Sequence, residues 1–137
     1  MSESSKSSKR IVLSELDAEV REAVAATRER VALLHAELPR WGLVVWTAGN
    51  VSERVVVDRG DGPVKTDLFV IKPSGVSYDE LTAGTMVVCT LEGDKIDDGT
   101  PESLSPSSDT AAHAYVYRHM ERVGGVVHTH STYATAW

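Results

Sequence analysis

The sequence predicts an α/β sandwich with a mixed sheet, and three observations predict it. Apolar residues at three- and four-residue spacing run through residues 15–38. Short apolar runs of strand character follow, separated by turns rich in Gly, Asp and Pro. A second helical stretch over 109–122 then leads directly into a final strand.

The first helix is expected from about Glu15 to Leu38. Ser14 can cap it, and Asp17 three residues on makes a variant of the capping box. Leu16, Val20, Ala23, Val24, Val31, Leu34 and Leu38 share one face, and Pro39 ends the helix. His35, at the edge of that stripe, reads as a packing or surface histidine. Beyond Pro39 the period becomes that of a strand, with Leu43–Trp46 as the first, broken by Ala48-Gly49-Asn50. Val55–Val57 is the second, Asp58–Pro63 a turn, and Leu68–Ile71 the third, ending at Lys72-Pro73-Ser74-Gly75. Tyr78–Leu81 reads as one helical turn, and Met86–Leu91 as a fourth strand turning at Glu92-Gly93-Asp94. After a polar loop over 97–106, Ser107 or Ser108 can cap the second helix, Asp109–Arg122. Gly124-Gly125 stops it, Val126–His130 is the last strand, and Ser131 could cap a further helix.

Size and composition fit one soluble domain. The chain has 137 residues, 42% hydrophobic and 25% charged, enough to bury about two-thirds of the unfolded surface. A net charge of −6 and a pI near 5.3 argue against nucleic acid or an anionic membrane as partner. A small anion is not excluded, because a local nest of backbone N–H groups can hold phosphate whatever the global charge. Cys89 is the only cysteine, so no intrachain disulfide is possible. No apolar run approaches a membrane span, and no signal-peptide pattern opens the chain, so a cytoplasmic location is expected. Residues 1–13, rich in Ser and Lys, are expected to be a disordered tail before a domain over 14–137.

Three groups of residues could carry chemistry. His128 and His130 are two apart on a strand and point the same way, separated by roughly 6.5–7 Å of rise. Two imidazoles so placed can share an ion, but His-x-His is also common by chance, and the pair needs a third ligand. Asp109, in the first turn of the helix leading into that strand, is the candidate, although the helix dipole alone favours an acid there. His113, one turn on, reads as a buried supporting group. Gly49-Asn50-Val51-Ser52, Ser74-Gly75 and Ser107-Ser108 each end a predicted element. Singly they are turns or caps; together they are the small-residue material of a phosphate cradle, to which Lys72 could add a charge.

These segments resemble class II aldolases and L-ribulose-5-phosphate 4-epimerases. The resemblance rests on Leu38-Pro39 with Gly49-Asn50-Val51-Ser52, on Phe69–Val76, on Pro106–Thr110 and on Gly124–Ser131, in that order. Asp109, where the fuculose and rhamnulose phosphate aldolases typically carry Glu, and the Thr-His-Ser context after His128 resemble the epimerase branch. The resemblance implies a three-layer α/β/α fold with a mixed, mostly antiparallel central sheet. It implies that Gly49, Asn50, Ser74, Gly75, Ser107 and Ser108 bind a substrate phosphate, assisted by Lys72. It further implies that Asp109, His128 and His130 ligate zinc or another divalent ion such as manganese. The implied reaction is retro-aldol cleavage of the C3–C4 bond of L-ribulose 5-phosphate, with the ion as Lewis acid, followed by re-addition to give D-xylulose 5-phosphate.

In that family a further metal histidine and an Asp and a Tyr for proton transfer are expected in sequence beyond Trp137, and the assembly is expected to be a homotetramer. The sequence-based expectation is therefore a C-terminally incomplete domain, inactive or nearly so alone. The competing readings are a class II sugar-phosphate aldolase, a methylthioribulose-phosphate dehydratase, and a non-catalytic remnant of the fold.

Overall fold

The computed structural model describes residues 10–131. Helix α1 spans Ala18–Arg40, and its cap is Asp17, not Ser14: the Asp17 carboxylate accepts the Val20 N–H at 3.0 Å. Leu13–Glu15 form a separate 3-10 turn. The helix runs through Pro39 instead of stopping before it, since a proline in the last turn removes a single amide from the ladder. Val24, Thr27, Val31, His35 and Leu38 are its buried residues, whereas Leu34, expected on the same face, is exposed.

Leu43–Trp46 is not a strand. Trp46 takes φ +61, and the Ala48 N–H closes a turn on the Val45 carbonyl at 3.0 Å. A left-handed residue breaks the alternation that a pleated strand requires. The segment instead folds over the end of α1, where the Leu43 N–H donates to the Leu38 carbonyl at 2.9 Å.

The sheet comprises β1 (Asn50–Asp58), β2 (Pro63–Ile71), β3 (Val87–Thr90) and β4 (Gly125–His128), in the order β3-β2-β1-β4. Helix α2 spans Thr110–His119, between β3 and β4. All three ladders among the described residues are antiparallel, in keeping with the mostly antiparallel sheet expected. Among the described residues the parallel contact is an isolated bridge between Val12 and Asp97. The cause lies in the loop before α2. It returns the chain to the sheet end where β2 finishes, with the Ser107 N–H donating to the Lys72 carbonyl at 2.9 Å. Helix α2 then runs away from that end and β4 comes back to it, opposite in direction to β1.

Successive residues of β2 face opposite sides. Leu68 and Val70, with Val55, Val88, Met86 and Ile96, pack on Val24 and Val31 of α1. Phe69 and Ile71, with Val87 and Cys89, pack on Ala114 and Tyr117 of α2. Two cores back to back on one sheet give three α/β/α layers. Of the tail expected over 1–13, residues 1–9 lie outside the described residues. Residues 10–13 are held against the domain: Leu13 donates to Asp97 and Asp97 to Ile11, each at 2.9 Å. The expected helix after Ser131 also lies outside the described residues.

Candidate active site

The site lies at the end of the sheet where β1 begins and β2 and β4 finish. Three local features assemble it. Pro73 and Pro106 form an antiparallel bridge, and the Ser74 N–H donates to the Ser105 carbonyl at 2.8 Å. This lays Lys72-Pro73-Ser74 beside Ser105-Pro106-Ser107, so that Ser74-Gly75 meets Ser107-Ser108. The β1–β4 register places Asn50 opposite His128. Asp109, the residue before the first turn of α2, completes the junction.

A pocket of about 290 Å³ is lined by Thr47, Ala48, Gly49, Asn50, Lys72, Ser74, Gly75, Ser107, Ser108, Asp109, His128 and His130. The ten residues that the resemblance implies for phosphate or metal binding are on its wall, whereas Val51 and Ser52 of the Gly49–Ser52 segment are buried away from it. Gly49 has no alternative there: its φ is +86, and a Cβ would lie 2.3 Å from Val44 Cγ1 and 3.1 Å from the His128 carbonyl oxygen.

Lys72 is 2% exposed. Its ammonium donates to the Pro73 carbonyl at 3.2 Å and sits 5.3 Å from the centre of the Tyr78 ring. Among the described residues no carboxylate pairs with it, and burial lowers its pKa. An ammonium has three donors, so this one can still serve an anion.

At the other end of the pocket, Asp109 Oδ2 lies 2.5 Å from His128 Nδ1. The carboxylate can only accept, so the proton of this bond resides on Nδ1. Asn50 Nδ2 donates to Asp109 Oδ2 at 2.8 Å and to Ser107 Oγ at 2.9 Å. Partial burial pushes the Asp109 carboxyl up, but the hydrogen bonds from Asn50 and His128 hold it below the usual value. Both Asn50 N–H groups are thereby committed. Its remaining polar atom, Oδ1, is a buried acceptor without a partner among the described residues. In this arrangement the Asn50 side chain ties Ser107 to Asp109, and both of its N–H groups are used in doing so.

The His128 and His130 rings lie 4.8 Å apart between centres, tilted by 36°. Among the described residues, no three His, Cys, Asp or Glu side chains are grouped around one ion position. Asp109, His128 and His130 do come together, but with Asp109 in direct contact with His128. The donor chemistry fits a divalent ion: an imidazole whose Nδ1–H is held by a carboxylate presents its Nε2 to a cation. His130 adds a second imidazole beside it.

The residues behind this wall were less legible. Ser52, two along β1 from Asn50, contacts His113 Nδ1 at 2.7 Å and the Tyr117 hydroxyl at 2.6 Å. Burial lowers the His113 pKa to about 4, against the opposing pull of Asp109, so the ring is neutral at pH 7. His113 is thus the supporting group its spacing suggested. Tyr78, three residues after Gly75, was read only as part of a turn, yet its hydroxyl contacts the Ala48 and Gly49 carbonyls, each at 2.9 Å.

A family model, the class II aldolase and adducin N-terminal domain, matches residues 29–137. The chain belongs to this family. Solved structures similar to this class II aldolase-family chain include YgbL from Klebsiella pneumoniae, whose assignment as an aldolase/epimerase/decarboxylase is itself provisional. That pair is 29% identical, with a TM-score of 0.66, over 82% of this chain and 48% of YgbL. An L-fuculose 1-phosphate aldolase is 25% identical, with a TM-score of 0.65, over 81% of this chain and 47% of its own. The L-fuculose-1-phosphate aldolase from Thermus thermophilus is 27% identical, with a TM-score of 0.58, over 82% and 51%. This class II aldolase-family chain spans about half the length of these proteins.

Proposed function

We propose that this chain carries the phosphate- and cation-binding side of a metal-dependent L-ribulose-5-phosphate 4-epimerase. The observation that carries the reading is Lys72. A buried ammonium is costly without a counter-charge, and this one shares a pocket with Ser74, Ser107 and Ser108 and with the start of α2. A phosphoryl group would supply the missing charge and accept from the Lys72 ammonium and the serine hydroxyls.

The far end of the pocket sets what happens to the sugar. Asn50 fixes Asp109, Asp109 fixes the proton on His128 Nδ1, and His128 Nε2 with His130 is left to hold a divalent ion. When bound, such an ion offsets the negative charge that develops on oxygen as a carbon–carbon bond next to a carbonyl breaks. The protein's part is to hold the phosphate at one end and the reacting carbons at the other, so that the cleaved fragment stays bound and re-adds on its other face. The assembly is proposed to be a homotetramer, as the family resemblance implies.

A second reading, a sugar-phosphate aldolase, is favoured by the likeness to L-fuculose 1-phosphate aldolases. Against it stands Asp109, one methylene shorter than the Glu typical of those enzymes and already in contact with His128. The two readings separate on product. In a preparation that turns over L-ribulose 5-phosphate with zinc, NMR should detect D-xylulose 5-phosphate, and accumulating glycolaldehyde phosphate would favour the aldolase; the chain alone is expected to give little of either. Failure of the protein to take up either zinc or phosphate in calorimetry sinks both.

A further inference from the structure

We infer that Tyr78 is a positioning residue that sets both walls of the anion pocket at once; the inference rests on the anion-binding reading above. Lys72 extends from the end of β2, and Ala48-Gly49 precedes β1, so the two walls come from different parts of the chain. Tyr78 touches both. Its ring face lies 5.3 Å from the Lys72 ammonium, and its hydroxyl is 2.9 Å from each of the Ala48 and Gly49 carbonyl oxygens.

The two contacts have separate consequences. The ring is a soft, uncharged partner for the ammonium: it attracts the cation without occupying it as a carboxylate would. The Lys72 side chain therefore keeps donors for an incoming anion. The hydroxyl acts on backbone. In a trans peptide the carbonyl and the following N–H point in opposite directions, so drawing the Ala48 oxygen toward Tyr78 turns the Gly49 N–H to the other side of that peptide. Gly49 tolerates this only without a side chain, because a Cβ would stand 3.3 Å from the Tyr78 hydroxyl and closer still to Val44. The ring packs beside that of His35, 6.0 Å away between centres and tilted by 49°. His35 is itself fixed, accepting the Val51 N–H at 2.9 Å and bonding the Val31 carbonyl at 2.8 Å.

The test measures inorganic phosphate affinity by calorimetry on the 137-residue chain, with thermal melts and the Gly49 amide resonance followed in parallel. Tyr78→Phe keeps the ring and loses the clasp. Phosphate should bind about fivefold more weakly, and the Gly49 amide should respond less to phosphate. Tyr78→Leu loses both contacts and should weaken phosphate about thirtyfold or more. Val24→Ala, in the α1 core away from the pocket, is the control for lost stability. Equal weakening of phosphate by that control at matched Tm loss would reduce Tyr78 to a packing residue and overturn the inference. Wild-type affinity in Tyr78→Phe and Tyr78→Leu, with binding abolished by Lys72→Met, overturns it while leaving the anion reading intact. No phosphate binding by the unaltered chain removes the anion reading and this inference together. If Tyr78→Leu fails to fold, the Tyr78→Phe affinity and its Gly49 signal decide.

Discussion

Of two residues on the pocket wall, Lys72 opposes the fold's own stability and Gly49 serves it. A lysine side chain at 2% exposure, without a carboxylate beside it among the described residues, is paid for elsewhere in the structure. Lys72→Met keeps the stem's packing and removes the charge. Its Tm should be unchanged or higher, while phosphate affinity should fall about tenfold or more, the worth of a charge-assisted hydrogen bond. Calorimetry beside a thermal melt checks both; a fall in Tm with phosphate affinity intact would contradict the role given to Lys72. Gly49 makes the opposite case. Gly49→Ala adds a methyl into the Val44 contact at a left-handed φ and should cost about 2–4 kcal/mol in urea unfolding. Lys72 and Gly49 were both legible in the sequence, through small residues gathered at predicted element ends. The hydrogen bonds that consume Asn50's donors were not, because spacing says where a side chain starts and not which neighbour it chooses.

At the scale of elements, a buried neutral histidine joins each helix to β1. In α1 it is His35, bonded to the Val51 amide; on α2 it is His113, bonded to Ser52. Burial lowers each from an ordinary 6.5 to about 4, against a favourable Val31 carbonyl for His35 and Asp109 for His113. The unfolded chain therefore binds more protons than the folded one between those values, and stability must rise with pH across that window. Read downward, stability is complete above about pH 6.5 and is lost as pH falls toward 4, by up to roughly 3 kcal/mol for each ring. Urea midpoints from pH 7.5 to 4.5 should show the loss, and His35→Gln with His113→Gln should flatten it; an unchanged slope would mean that neither ring is held neutral. The helices that carry these rings were readable from periodicity, and so were β2 and β3, where apolar runs lie between clear turns. Leu43–Trp46 was not, because a run of Leu, Val and Trp has the composition of a strand whether or not a partner strand is beside it. What decides is Trp46 at φ +61, a local backbone choice that composition does not encode. The α1 cap was missed for a related reason: Ser14 and Asp17 both suit a helix start, and spacing does not choose between them, whereas the structure gives the Val20 N–H to Asp17.

For the whole molecule, the sheet is a partition between two cores, and the Ser52–His113–Tyr117 network beside Asp109 lies on the α2 side. The α/β/α layering was implied by the family resemblance and is realised by alternation along β2, but the antiparallel direction of β4 depends on where the loop before α2 returns the chain, which is set by Pro73, Pro106 and the Ser107–Lys72 bond. Phe69 and Val70 are neighbours in sequence and both fully buried, yet they support different helices. The Phe69 ring lies 5.1 Å from that of Tyr117, whose hydroxyl meets Ser52 and, through it, His113. Val70 packs among the residues that receive Val24 and Val31 of α1. Partial openings of a protein follow such contiguous units, so Phe69→Leu should speed amide hydrogen exchange in α2 and Val70→Ala should speed it in α1. Each substitution should also lower global stability by about 1–3 kcal/mol. If both variants instead accelerated exchange equally in the two helices, the sheet would not separate the cores energetically. The Asp109–His128 contact would then depend on packing throughout the molecule and not on the α2 side alone.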